Sequence, residues 1–552
     1  MSKPTQVTRR DFLKISAAAA AGGLVAGCAP ATTPVPPTKA PAATSAPAAT
    51  AVPTKAPATA VPPTAVPPTA APTALPPMVK GEIRIVPTSV KLPKDKVTFR
   101  WLDSGDTKAI FWKKYFELYQ KAYPNITCQY DGLPWNEIAK IVPVGIQNGN
   151  LHDCFSLPQG VTPAQAVAEG WIRPMDDLIP DIKEHKAKFP PASFVEGINV
   201  FGGKTYAFPH STSKRSGTML LYNEEYMQKA GFDPVARRFT WNDYRAAAKK
   251  ITEQGAGKYY GLIIGGNQLN RWADNVRSLA NIAGAASDGN NINLKTGEYF
   301  FMADQVIAAI ELLLAIKSDG SIFPGFLSIN APQARANISQ GNAGMILQGL
   351  WCLPQWKTEN PKISYGTALT PAPNTGTPGF VYAGPGGNNE MWIYAKSKVP
   401  EIAADILYYR TTLEGQYAWN KVAGVSDPGI FPQALETAST DPKDIKALQL
   451  QESLFKIRPD PLVRNPEIAK VNLELKAVTP SFEQVIQGLM SGQLTDVKKS
   501  MQSVKDAYEK ELDRAIKAAQ DKGAKVSRDD YKFPNWDPTK DYLDADYAAL
   551  KK

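Results

Sequence analysis

The stretch from Phe201 to Ile251, FGGKTYAFPHSTSKRSGTMLLYNEEYMQKAGFDPVARRFTWNDYRAAAKKI, constrains the fold more than any other. Gly202-Gly203 reads as a turn. Thr205 to Phe208 reads as a short strand that Pro209 stops, and Thr218 to Tyr222 as a second apolar run ending at Asn223. Met227 to Phe232 reads as a helix end with Gly231 as its stop. Thr240 opens the next helix, and Asp243 can reach back from the third position to complete a capping box. Upstream, Val97 to Leu102 reads as a strand. Ile110 to Tyr123 reads as a helix whose Phe111, Tyr115, Leu118, Tyr119 and Ala122 share one face, and Ile126 to Tyr130 as the next strand. Strand, helix and strand in this order point to a parallel βαβ unit, hence an α/β fold.

A chain of 552 residues is too long for one ordinary core, and its beginning differs from the rest. Thr8-Arg9-Arg10-Asp11-Phe12-Leu13-Lys14 resembles a twin-arginine (Tat) export signal. The apolar run Ile15 to Ala26 is short for a membrane span. It ends in Val25-Ala26-Gly27-Cys28, which resembles a bacterial lipobox and implies acylation of Cys28. Residues 30–77 are almost all Pro, Ala, Thr and Val. Such a stretch buries no core and favours extended structure, with a reach on the order of 150 Å at about 3.1 Å per residue. The expectation is a signal over 1–28 and a disordered tether over 29–96 that holds the folded part off a membrane.

The formal charge is +10, yet Lys and Arg form no block of the kind that nucleic-acid binding needs. Three histidines leave little room for a His-rich metal site. With Cys28 taken for lipidation, Cys128, Cys154 and Cys352 are an odd number to pair, and the sequence selects no disulfide.

Other segments carry a resemblance. Glu169-Gly170-Trp171-Ile172-Arg173-Pro174-Met175-Asp176-Asp177-Leu178, Gly341-Asn342-Ala343-Gly344-Met345 with Gly349-Leu350-Trp351, Thr370-Pro371-Ala372-Pro373 and the run Pro400 to Thr412 each match short motifs. Together with the ordered features of Phe201–Ile251, these segments resemble the bacterial extracellular solute-binding proteins of family 1, which serve sugar-type ABC transporters. The resemblance covers about residues 97–520. It implies a two-lobed periplasmic-binding-protein fold (type II, Venus-flytrap) with hinge crossings. Lobe one would hold 97–209 and 387–436, lobe two 210–386 and 437–535, and 536–552 would be a tail. It further implies a monomeric, membrane-anchored, extracytoplasmic protein that delivers a mono- or oligosaccharide to an ABC permease, with no cofactor, metal or nucleic acid.

Ligands of open α/β domains sit outside the carboxyl ends of strands. A sugar needs aromatic rings to stack on and planar polar side chains for its hydroxyls. Loops meeting both demands supply the candidate ligand-binding residues Ser104, Asp106, Trp135, Gln159, His210, Ser211, Asn223, Asn270, Trp272, Trp351, Gly386 and Asn388. Trp351 leads them because it matches the aromatic of the family's G-x-W motif. Trp101, Trp241 and Trp392 read as core. Residues Asn472 to Val478 are Leu- and Lys-rich where some relatives carry aromatics, which argues against a maltodextrin. Two other readings stay open. One is a binding lipoprotein of the same fold for a non-sugar solute or a sensor. The other is a secreted glycoside hydrolase, which would require a pair of carboxylates flanking the scissile bond.

Overall fold

The computed structural model describes residues 79–550, apart from Asp106, Gln159, Gly160, Ser216, Asn389 and Glu390. The export signal, Cys28 and the stretch up to residue 78 lie outside the described residues, as do the candidates Asp106 and Gln159. Two four-stranded sheets organise the chain. The first places Met391–Ile393, Cys154–Ser156, Val97–Ser104 and Ile126–Leu133 side by side. The second places Tyr365–Ala368, Met219–Asn223, Ala343–Gln348 and Tyr260–Leu262 in that order.

In the first sheet Val97–Ser104 pairs in parallel with both neighbours, as a βαβ unit demands, and Met391–Ile393 closes the edge antiparallel. In the second, Met219–Asn223 runs antiparallel to both of its neighbours. Such a strand has not come through a crossover helix of its own layer. It enters from the other lobe, which is how the stretch around Phe201–Ile251 joins two domains.

Each sheet has its own core. Aromatics dominate the first: Trp101 and Trp112 lie 4.3 Å apart, and the Trp419 ring packs 5.1 Å from Phe111. Helix Lys108–Ala122 buries Phe111, Tyr115 and Tyr119 of the face its apolar spacing marks, together with Trp112 and Phe116, while Leu118 is half-buried and Ala122 exposed. The second core gathers Tyr244, Val276, Leu313, Met345 and the inner face of the long helix Val497–Asp521, where Met501, Val504, Leu512, Ala515 and Ile516 are buried. Thr240 and Asp243 form the expected capping box at the head of Trp241–Gly255. Trp101, Trp241 and Trp392 are buried. By core membership, Val425 apart, the chain changes lobe between Phe208 and Met219, between Ala383 and Met391, and between Ala434 and Ala447.

Several expectations need correction. Residues 79–96 are not tether: Ile83, Ile85, Val86, Val90 and Leu92 pack on the first core, and the Arg84 guanidinium pairs with Glu414. Their apolar side chains gain burial that the Pro/Ala/Thr stretch cannot offer. The tail from 536 is packed down as well. Trp536 and Tyr542 are buried with Phe533, Ala286 and Leu294, and the Trp536 ring meets Tyr382 edge-on at 4.9 Å. From sequence, Pro143 predicts an interruption in a helix over Trp135 to Gln147, yet helix Trp135–Asn148 runs unbroken through it. A proline there costs about 3 kcal/mol, and burial of Ile138 and Val142 offsets it. Of the strand read at Thr205 to Phe208 only Thr205 pairs, in the strand Lys204–Thr205 against Val200–Phe201. Beyond it, the Tyr206 N–H donates to the Asn199 carbonyl at 2.9 Å instead of to a ladder. The described cysteines Cys128, Cys154 and Cys352 are all free.

Candidate ligand-binding cleft

A cavity of about 1380 Å³ opens between the two lobes. It lies where the resting place of a ligand is expected, beyond the strand ends. Val97–Ser104 leads into it with Ser104 and Gly105, and Ile126–Leu133 with Gly132 to Trp135. From the second sheet, Ala343–Gln348 contributes Gln348 and then Trp351, and the loop after Tyr260–Leu262 contributes Asn267, Gln268 and Asn270. Met219–Asn223 runs the other way, so its entry, Gly217 and Thr218, faces the same space. The crossing segments add Ser213, Arg215, Gly384 and Asn388.

Trp135 and Trp351 stand on opposite lobes of this cavity. The Trp135 ring is backed by the Lys108 ammonium, 5.7 Å from its centroid. Lys108 is itself buried and paired with Asp103 at 2.9 Å, and Ser156 donates to the same carboxylate oxygen at 3.1 Å. A buried ion pair satisfied this way fixes position more than it adds stability. Trp351 is held on three sides. Its Nε1–H donates to the Gln348 side-chain oxygen at 3.2 Å, and the Arg215 guanidinium sits over its ring at 4.9 Å. Beneath the ring lies Gly349, where a Cβ would stand 2.1 Å from a ring carbon. That contact is the physical content of the Gly349-Leu350-Trp351 motif: the ring can fold back over residue 349 only if that residue has no side chain.

Helix Asn270–Ile282 shows how one short sequence serves core and cavity at once. Trp272, Val276 and Leu279 follow helical spacing into the second core. Arg271, Asp274, Ser278 and Asn281 follow it on the other face and line the cavity. Arg271 pairs with Asp274, and Arg277 reaches the same carboxylate at 3.3 Å and Asn291 at 2.9 Å. Arg335, from helix Ala331–Ser339, donates to Gln355 at 2.6 Å and to Gln348 at 3.4 Å.

Of the candidates named from sequence, the structure brings Ser104, Trp135, Asn270, Trp351 and Asn388 to the cavity wall. Trp272 is elsewhere. It is 0 % exposed, and its Nε1–H donates to the Gly266 carbonyl at 3.0 Å. Its polar neighbours Asn270 and Arg271 face the cavity because they occupy the opposite side of the helix. Asn223 caps helix Glu224–Lys229 by accepting the Tyr226 N–H at 3.1 Å, away from the cleft. His210 and Ser211 are buried in the first crossing: the His210 N–H donates to the Asn388 carbonyl at 3.0 Å, and the Ser211 hydroxyl to Asp427 at 2.9 Å. Gly386 turns the second crossing at φ +88°, where a side chain is strained, and its carbonyl accepts from Asn199 at 3.2 Å. Arg215, Arg271, Asp274, Arg277, Arg335 and Gln348 escaped the sequence reading. The polar stripe at i, i+3, i+7 and i+10 in the helix from Asn270 was the available signal. No group of three or more potential metal ligands occurs among the described residues.

A two-lobed α/β body with a large cleft at facing strand ends, aromatic on both walls, defines a binding protein for a solute. Residues 105–417 match the family model described as bacterial extracellular solute-binding protein, and residues 6–26 match the twin-arginine translocation signal sequence. The chain belongs to this bacterial extracellular solute-binding protein family, and its signal marks an exported, extracytoplasmic protein. A binding protein of Brucella abortus (strain 2308) is 28 % identical over 298 residues, 53 % of this chain and 67 % of its own length. Among solved structures, the GacH receptor of Streptomyces glaucescens, studied unliganded and with acarbose, matches at TM-score 0.57 and 17 % identity over 75 % of this chain and 98 % of its own. The maltose/maltodextrin-binding domain of Bdellovibrio bacteriovorus, bound to maltotriose, matches at 0.56 and 17 % over 76 % and 100 %. A solute-binding protein of Thermotoga lettingae bound with α-D-tagatose matches at 0.56 and 18 % over 75 % and 99 %. At these identities the likeness is one of fold. The family and these neighbours are binding proteins, not enzymes.

Proposed function

We propose that the protein captures a carbohydrate between its lobes and presents it to an ABC permease, while acylation of Cys28 holds it at the outer face of the membrane. The observation that carries the reading is the pair of tryptophans on facing walls of a cleft whose polar lining includes amides, hydroxyls, guanidinium groups and carboxylates. Rings of this kind stack on the apolar faces of sugars, and the planar polar groups suit hydroxyls. Acarbose, maltotriose and tagatose, the ligands of the structural neighbours, support the class. Ser104, Trp135, Asn270, Trp351 and Asn388 are the contacts we assign.

Capture follows from the two walls. A ligand that touches both binds the closed form more tightly than the open one and shifts the population by that difference. The crossing segments around Ser211, Asn388 and Gly429, joined by backbone bridges, are where the hinge would lie. A permease then distinguishes closed from open, and no bond in the cargo is broken.

A thermal-shift screen of the purified protein against mono- and oligosaccharides, amino acids and polyamines tests this, since a ligand of the native state raises the melting temperature. A rise with sugars that Trp351→Ala abolishes is the expected result. Rises with non-sugars alone would overturn the ligand class. Anchoring is tested apart: Cys28→Ser should release the exported protein from the membrane fraction.

A further inference from the structure

Resting on the sugar-capture reading, we infer that the cargo is an acidic oligosaccharide whose carboxylate is met by the arginine wall of the second lobe. Three guanidinium groups, those of Arg271, Arg277 and Arg335, line that wall. The carboxylate paired with them among the described residues is that of Asp274, shared by Arg271 and Arg277. Arg335 is held only by the amide oxygens of Gln355 and Gln348 and has no ion pair among the described residues.

Two further arginines on the cavity already have carboxylates of their own: Arg215 has Asp427 at 3.1 Å, and Arg458 has Asp460 at 2.8 Å. Glu359 lies at the exposed rim and accepts from Gln355 at 2.6 Å and from Ser339 at 2.5 Å. Asp288 is fully buried on the Arg458 side, and burial pushes its carboxyl up against the pull of that guanidinium. The excess positive charge therefore gathers at Arg271, Arg277 and Arg335.

Arg271 makes the excess costly. It is 8 % exposed, and its buried Nε meets no acceptor among the described residues. A desolvated, incompletely paired cation is unfavourable until an anion arrives. Guanidinium groups take carboxylates in planar, two-pronged geometry. Asp274 already shows a carboxylate seated between two of them. The same cluster is contiguous with the stacking surface: a Cβ on Gly217 would lie 3.4 Å from Arg271 and 3.5 Å from Trp351. A ring stacked on Trp351 thus brings its substituents within reach of Arg271. The cavity of about 1380 Å³ also exceeds the range of roughly 300–1,000 Å³ usual for small-ligand pockets, which favours several sugar units over one.

Calorimetric titration of the intact protein with trigalacturonate, with its methyl ester, with a neutral trisaccharide and with a hexose phosphate tests the inference. Trigalacturonate should bind at least tenfold more tightly than its ester, which has the same shape without the charge. Arg335→Gln, on the part-exposed wall, should weaken trigalacturonate at least tenfold and leave the ester within twofold. The ester comparison needs no variant, so it stands even where a substitution disturbs folding. Equal binding of the acid, the ester and the neutral sugar would overturn the acidic class and leave sugar capture standing. Binding of the hexose phosphate alone would overturn the carboxylate. Binding of none would overturn both readings.

Discussion

Substituting Gly349 by alanine should destabilise the protein through a single ring. An ideal Cβ there lies 2.1 Å from one carbon of Trp351 and 2.4 Å from two others, whereas ordinary contact begins near 3.4 Å. The ring would have to retreat by more than an ångström. It is not free to do so, because Gln348 holds its Nε1–H and the Arg215 guanidinium lies 4.9 Å from its centroid. Overpacking of this kind costs about 1–3 kcal/mol. In a Trp351→Ala background the obstacle is gone, and the same substitution should be neutral or stabilise by about 0.4–1 kcal/mol through the unfolded chain. The coupling between the two sites, read from urea unfolding of the four proteins, is then at least about 1 kcal/mol. An equal cost of Gly349→Ala in both backgrounds would refute the claim that residue 349 lacks a side chain to seat the ring.

His185 is buried, stacked on Tyr408 at 3.9 Å and bonded to Thr411 at 2.9 Å. Burial, helped by Lys188 and opposed by Asp181, lowers its pKa to about 4. Since the folded value lies below the ordinary one near 6.5, its contribution is complete above pH 6.5. It is lost as pH falls toward 4, by up to about 3 kcal/mol; a slope in stability that persists unchanged in His185→Gln would contradict this. Trp536→Ala removes a side chain 2 % exposed and should cost about 3–5 kcal/mol in unfolding experiments; a loss below about 1 kcal/mol would show the segment to be a loose tail. Thr240→Ala breaks the capping box and should cost about 1 kcal/mol by the same measurement, with no change in ligand affinity.

Local chemistry made much of this architecture legible. The cap at Thr240 and the Phe111, Tyr115 and Tyr119 face of Lys108–Ala122 follow from spacing and hydrogen-bonding groups alone. What depends on a neighbour was not legible. Trp272 was read from its polar neighbours in sequence, when the helix turns it by its position to face Val276 and Leu279. The arginines of the cleft were missed for the same reason, since Arg271 and Arg335 line one cavity only after their two helices are packed. The burial of residues 79–96 and of Trp536 likewise depends on surfaces supplied by other segments.

The proposed function rests on a sugar lying between the lobes against Trp351. Calorimetric titration of the purified protein and of Trp351→Ala with a panel of neutral and acidic oligosaccharides tests it most directly. Saturable binding of at least one oligosaccharide, weakened about tenfold or more in the variant, is expected, consistent with about 0.5–1.5 kcal/mol of stacking plus the ring's buried area. Binding of equal strength in both proteins, or of no sugar in the panel, would contradict it.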